Sequence, residues 1–171
     1  MTVSAYIAVI AVGDRDRQDD GIGWAVLSRI RQRTAGRPLP PGTVLARCDF
    51  DPGRLVGLWD HAELAVVLEP AHARSSHPGR VYRLELDAAD LWRAGTMPPH
   101  GLGEAVELAR QLNRLPGRLV AYAVETADTS VGEGLSEPVA AVVDFVAQQV
   151  EGEIVRHRVA AAQAAVGRDA A

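Results

Sequence analysis

The chain has 171 residues, a hydrophobic fraction of 47% and a formal net charge of −4. That is enough for one globular domain with its own core, and it argues against disorder or a basic nucleic-acid binder. All 18 basic residues are arginine, which excludes a Schiff-base lysine on this chain. The single cysteine, Cys48, excludes a disulfide framework and fits a reducing, cytoplasmic setting. No basic segment precedes the first apolar run, so no signal peptide is expected, and no apolar stretch reaches membrane-spanning length.

Val3 to Val12 reads as a strand buried on both faces, as in parallel sheets. The polar loop Gly13 to Asp20 follows it. A helix then opens near Gly21, with Ile22, Val26 and Ile30 at four-residue spacing. Asp19 and Asp20 sit just ahead of that helix, where carboxylates favour the helix dipole and often cap it. Pro40-Pro41-Gly42 connects to a short strand, Val44 to Cys48. Asp49-Phe50-Asp51-Pro52 then turns into a short helix, Arg54 to Asp60.

Ala62 to Glu69 is a third apolar strand, closing on Glu69-Pro70. A polar loop with His72, Ser75, Ser76 and His77 comes next. Gly79 to Leu86 alternates apolar and polar residues, which suits an edge or antiparallel strand. Leu91 to Pro99 is irregular, and His100 precedes a helix, Leu102 to Leu112. Leu119 to Glu125 is the last strand. Ser136-Glu137-Pro138 reads as a serine-capped helix start, with a helix to about Val150. The Ala- and Arg-rich segment 153–171 either extends that helix or frays. The alternation predicts a single three-layer α/β domain over 1–152, with a mostly parallel twisted sheet of about five strands flanked by helices.

In such sheets ligands bind outside the carboxyl ends of the strands. Asp20 follows the first strand, Glu69 ends the third, and His100 sits before a helix. Two carboxylates and an imidazole on one sheet edge suit a borderline divalent metal such as nickel, zinc or manganese, with an open position for substrate. Each residue also has a plain reading. The aspartates can cap a helix, Glu69 can be a solvated loop carboxylate, and His100 can be a cap or surface residue. His72 and His77 can add ligands, but a surface loop suits them better. Cys48 reads as a small core residue. No GxSxG elbow anchors a serine hydrolase. Gly21-Ile22-Gly23 lacks the third glycine of a dinucleotide fingerprint, and the acidic loop before it repels phosphate.

Several segments together resemble the hydrogenase maturation proteases. They are Val12-Gly13-Asp14, Asp19-Asp20-Gly21-Ile22-Gly23, Leu64 to Glu69, His100-Gly101-Leu102-Gly103, Leu115 to Glu125 and Gly134 to Val139. The resemblance spans roughly Ile7 to Val150. It implies an endopeptidase that removes the C-terminal extension of a nickel-iron hydrogenase large-subunit precursor. Nickel carried by that precursor is the recognition element. The family's metal ligands fall on Asp20, Glu69 and His100. Asp49 falls where the family has an acid after the second strand and is the candidate general base. Asp19 is read as a cap or a group behind the ligands. The chain departs from the family pattern at Asp14 (usually asparagine), Glu69 (usually aspartate) and Phe50 (often glycine). Partners are then the precursor alone, with no nucleic acid or membrane, and the protein is expected to act as a monomer. Two other readings stay open: a nickel-dependent chaperone that binds the precursor uncut, and an unrelated metal-dependent hydrolase on the same scaffold.

Overall fold

The computed structural model describes residues 6–72, 77–86 and 102–169. Five strands form one sheet in the order β2-β1-β3-β5-β4. They are β1 (Ile7–Val12), β2 (Thr43–Cys48), β3 (Leu64–Ala71), β4 (Val81–Leu86) and β5 (Arg118–Glu125). β1 runs parallel to both β2 and β3, and β3 runs parallel to β5. Only β4 is antiparallel, on the outer edge of β5. Its half-exposed alternating residues match that edge position.

Period-two alternation divides the core between two layers. Ile7, Val9 and Ala11 of β1, with Leu64, Val66 and Leu68 of β3, pack under α1 (Ile22–Arg33) and α5 (Val143–Asp169). Ala8, Ile10 and Val12, with Ala65 and Val67, pack under α2 (Pro52–Trp59) and α3 (Leu102–Leu112). β1 and β3 are therefore buried on both faces, which explains their unbroken apolar runs.

Boundaries shift in informative ways. β3 starts at Leu64 and continues past Glu69-Pro70 to Ala71. Proline is tolerated there because β1 pairs only as far as Leu68, so no ladder bond is lost on that side. Ser136 stands at the start of a short helix α4 (Glu137–Ala140), but its side chain makes no capping bond. Segment 153–169 continues the last helix without a break at Gly152. Residues 1–5, the loop with Ser75 and Ser76, Leu91 to Pro99 and His100 lie outside the described residues.

α5 is held to the sheet by a buried carboxylate as well as by Val146, Val150 and Ile154. Glu153 is 1% exposed. It accepts from Tyr122 Oη of β5 at 3.0 Å and pairs with Arg83 of β4 and Arg156. Removing one member of a buried charged group leaves the others uncompensated. Arg83 is partly exposed and can rehydrate, so Glu153→Ala should cost about 2–3 kcal/mol. Urea unfolding followed by circular dichroism would show this as a lower midpoint at unchanged slope.

Candidate metal site at the sheet switch point

Strand order reverses between β1 and β3. The chain leaves β1 through α1 toward β2, then crosses back through α2 to β3 on the other side. The crevice at the carboxyl ends of these two strands is the topological switch point, where ligands bind in open α/β sheets. The loop after β1 and the end of β3 both enter it.

The loop after β1 is tightly folded. Gly13 has φ +145°, and a Cβ there would stand 2.1 Å from the Asp20 carbonyl oxygen, so only glycine fits. Asp14 Oδ1 accepts from Asp16 N at 2.8 Å, an Asx turn. Gln18–Gly21 is a turn of 3-10 helix leading into α1. Gly23 lets α1 press on the sheet, since a Cβ there would meet Ala11 Cβ and the Leu68 carbonyl at 3.0 Å.

Asp19 neither caps a helix nor faces the crevice as a ligand would. It is fully buried, and both its oxygens are taken. Oδ2 accepts from Ala127 N at 2.8 Å, Asp128 N at 3.0 Å and Ser136 Oγ at 2.8 Å, and Oδ1 from Ser136 N at 2.7 Å. Burial pushes its pKa up, but these hydrogen bonds outweigh it and hold the carboxyl below its ordinary range. Asp19 therefore ties the β1–α1 loop to the loop after β5. Three further backbone bonds, Gln18 N to Gly132 O, Asp19 N to Asp128 O and Gly132 N to Asp16 O, all 2.9 Å, complete the seam.

Asp20 is different. It is 5% exposed, and its Oδ1 accepts no hydrogen bond among the described residues. Burial is the largest influence and raises its pKa; His72 and Arg17 oppose this, and Asp14 and Asp19 add to it. Glu69, in β3, is 1% exposed, and its Oε1 is also without a hydrogen-bond donor. Burial alone pushes its pKa up to about 8. The plain reading of Glu69 as a solvated loop residue thus fails. Each of these desolvated carboxylates has a bare oxygen that a hydrogen-bond donor or a cation would satisfy.

Asp49 follows β2 on the same sheet edge and is exposed. Its Oδ2 lies 3.9 Å from Arg54 Nη1. The neighbouring Asp51 caps α2 by accepting from Arg54 N at 2.8 Å. Cys48 is buried, and burial pushes its thiol up to about 11, consistent with a core residue. His100 lies outside the described residues, so the crevice is seen without it. Among the described residues no group of three or more His, Cys, Asp or Glu side chains is set to hold a metal ion.

His72 was underweighted by the sequence. Its Nε2 lies 3.3 Å from Asp20 Oδ1, and its Nδ1 lies 3.0 Å from Thr126 Oγ1. Ending the third strand at Pro70 moves His72 into a loop. Carrying the strand to Ala71 brings it to the crevice. Beside the site an open cleft of about 280 Å³ is lined by Arg15, Trp24, Arg47, Glu133 and Leu135. Trp24 donates to the Gly13 carbonyl at 3.2 Å, and Arg47 stacks on its ring at 4.5 Å.

No family model matches the chain, and no curated protein matches its sequence. Solved structures do match. The hydrogenase maturating endopeptidase HybD from E. coli superposes with TM-score 0.69 at 22% identity, covering 85% of this chain and 89% of that one. The [NiFe] hydrogenase maturation protease HybD from Thermococcus kodakarensis gives 0.64 at 18%, covering 87% and 99%. HycI from the same organism gives 0.62 at 19%, covering 91% and 95%. The chain has the fold of the hydrogenase maturation endopeptidases. This agrees with the architecture and the resemblance read from the sequence.

Two outcomes follow from the buried carboxylates. Asp19→Ala strips the acceptor from three N–H groups and a hydroxyl, and should destabilise the protein by about 3 kcal/mol. Proteolysis should then cut first in 126–136. For Glu69 the folded pKa of about 8 exceeds the ordinary glutamate value of 4.5. Between those values the folded state holds the extra proton, so stability of the metal-free protein falls as pH rises from about 5 to about 8. Thermal unfolding across that range should show the fall, and Glu69→Gln should flatten it.

Proposed function

We propose that this chain is an endopeptidase that removes the C-terminal extension of a nickel-iron hydrogenase large-subunit precursor once nickel has been inserted. The observation that carries the reading is the pair of buried carboxylate oxygens, Asp20 Oδ1 and Glu69 Oε1, left without hydrogen-bond donors at the switch point. The shared fold with named maturation endopeptidases supports it.

In this reading nickel arrives as part of the substrate. Asp20, Glu69 and His100 contact it, so a precursor lacking the metal leaves two desolvated carboxylates uncompensated and binds poorly. That makes nickel the signal for cutting. When bound, the ion polarises the carbonyl of the scissile bond. Asp49 stands in solvent on the same sheet edge and acts as general base, taking a proton from the attacking water. Arg54 Nη1 lies 3.9 Å from its Oδ2 and leaves the carboxylate open to solvent. The Asp19 seam fixes the backbone that carries Asp20, so the metal contact is rigid before the client docks.

The test is the intact mass of the precursor, nickel-loaded and nickel-free, before and after incubation with the protein. A C-terminal peptide should be lost only from the loaded form. Asp20→Ala should abolish the cut, and Asp49→Asn should slow it about 100-fold or more, the scale of general-base catalysis. Nickel-dependent co-purification with an uncut precursor would instead identify a chaperone. Normal cutting by both variants would overturn the site assignment.

A further inference from the structure

We propose that the cleft beside the crevice is a client subsite, in which Arg47 receives an acidic side chain of the polypeptide to be cut. The proposal deepens the functional reading above and rests on its premise that the substrate is a polypeptide.

Strand register puts Arg47 in the cleft. It is the partner of Ala11 across the β1–β2 ladder, and Ala11 belongs to the apolar layer under α1 and α5. Leu45, two residues earlier and so on the same face, packs against that layer. Arg47 continues the face near the carboxyl end of an edge strand, where it is exposed. There its guanidinium carbon stands 4.5 Å from the centroid of the Trp24 ring. The ring is fixed in turn, because its indole N–H donates to the Gly13 carbonyl at 3.2 Å. Stacking occupies the flat face of the guanidinium and leaves its N–H edges free. A carboxylate fits such an edge with two parallel hydrogen bonds. Among the described residues Arg47 has no carboxylate partner.

Charge and size select the occupant. The other arginine of the cleft, Arg15, is paired with Glu133 at 3.2 Å and with Asp16 at 3.5 Å. Glu133 is the acid of the cleft lining, so that pair leaves Arg47 as the uncompensated charge, and the cleft attracts an anion. Its volume of about 280 Å³ falls just short of the roughly 300–1,000 Å³ of pockets that enclose drug-sized ligands. It suits a side chain or two and excludes a bulky cofactor. The cleft is open, so a chain can cross it and continue, which favours a side chain over a chain end. Gly21, the residue after Asp20, lines it, so one loop serves both the crevice and the cleft. Ring and guanidinium are already stacked, and little of their freedom remains to be lost when the client docks.

The measurement is an NMR titration of the full-length, isotope-labelled protein with three peptides. They are acetyl-Ala-Ala-Glu-Ala-Ala-amide, the same peptide with Gln for Glu, and the Gln peptide with a free C-terminal carboxylate. The Trp24 indole N–H signal, assigned with Trp24→Phe, reports on the cleft. The Glu peptide should shift it, and the Gln peptide should bind at least about fivefold more weakly. Added salt should weaken the Glu peptide alone. Arg47→Gln should bind the two capped peptides alike, with thermal unfolding unchanged because the residue is exposed. Arg47→Lys should recover only part of the preference, since an ammonium lacks the paired donors. No shift with the Glu peptide, equal binding of the two capped peptides by the wild-type protein, or an undiminished preference in Arg47→Gln overturns the proposal. Tighter binding of the free-carboxylate peptide than of the Glu peptide also overturns it, because the cleft would then hold a chain end. Precursor trimming is scored separately. A protein that prefers the Glu peptide but trims nothing would sink the protease reading and leave the subsite standing, and trimming without any peptide preference would do the reverse.

Discussion

One buried carboxylate governs the geometry of the crevice. Asp19 accepts four hydrogen bonds from the loop after β5, and hydrogen bonds to a charged group are worth about 1.5–3 kcal/mol each. It joins two loops that are more than a hundred residues apart in sequence. Each loop follows a different parallel strand. With that seam closed, the backbone on either side of Asp20 has little freedom. The neighbouring carboxylates therefore have opposite fates. Asp19 is saturated and structural, while Asp20 is desolvated and left with a bare oxygen.

That contrast is affordable only because the rest of the fold is stable. Burying carboxylates without donors is costly, and Glu69 shows the cost as a pKa raised to about 8. The offset comes from β1 and β3, which are packed on both faces by two apolar layers. Glu69 is carried by the more central of these two strands, one residue past the point where β1 stops pairing. The same early end to the β1 ladder admits Pro70 and takes the strand on to Ala71. His72 is thereby delivered next to Asp20. A small topological fact, two strands of unequal length side by side, thus sets which polar groups meet.

The cleft beside the crevice follows the same logic. Trp24 lies on the first turn of α1, and its indole N–H is spent on the Gly13 carbonyl. The ring is fixed by the turn that also positions Asp20, and Arg47 from β2 covers it. The acidic crevice and the aromatic-cationic cleft are thus two sides of one loop.

Much of this was legible in the residues. Continuous apolar runs at Ile7–Val12 and Leu64–Leu68 require strands covered on both faces, and alternation with amphipathic helices requires a mostly parallel sheet. Those features alone determined the three-layer class, an edge or antiparallel fourth strand and the strand-end location of Asp20 and Glu69, because periodicity is a local property of the chain. Three matters were decided only by tertiary structure. Asp19 and Asp20 are identical and adjacent in sequence, and only the distant Ser136 and Ala127 make one an anchor and leave the other with an oxygen that accepts no hydrogen bond among the described residues. Glu69 at the end of an apolar strand can be a solvated carboxylate, and only the packing around it shows that it is buried. His72 looks like a surface histidine until β5 arrives with Thr126. Hydrophobic period is written in neighbours along the chain, but hydrogen-bond satisfaction and desolvation depend on partners far away in it.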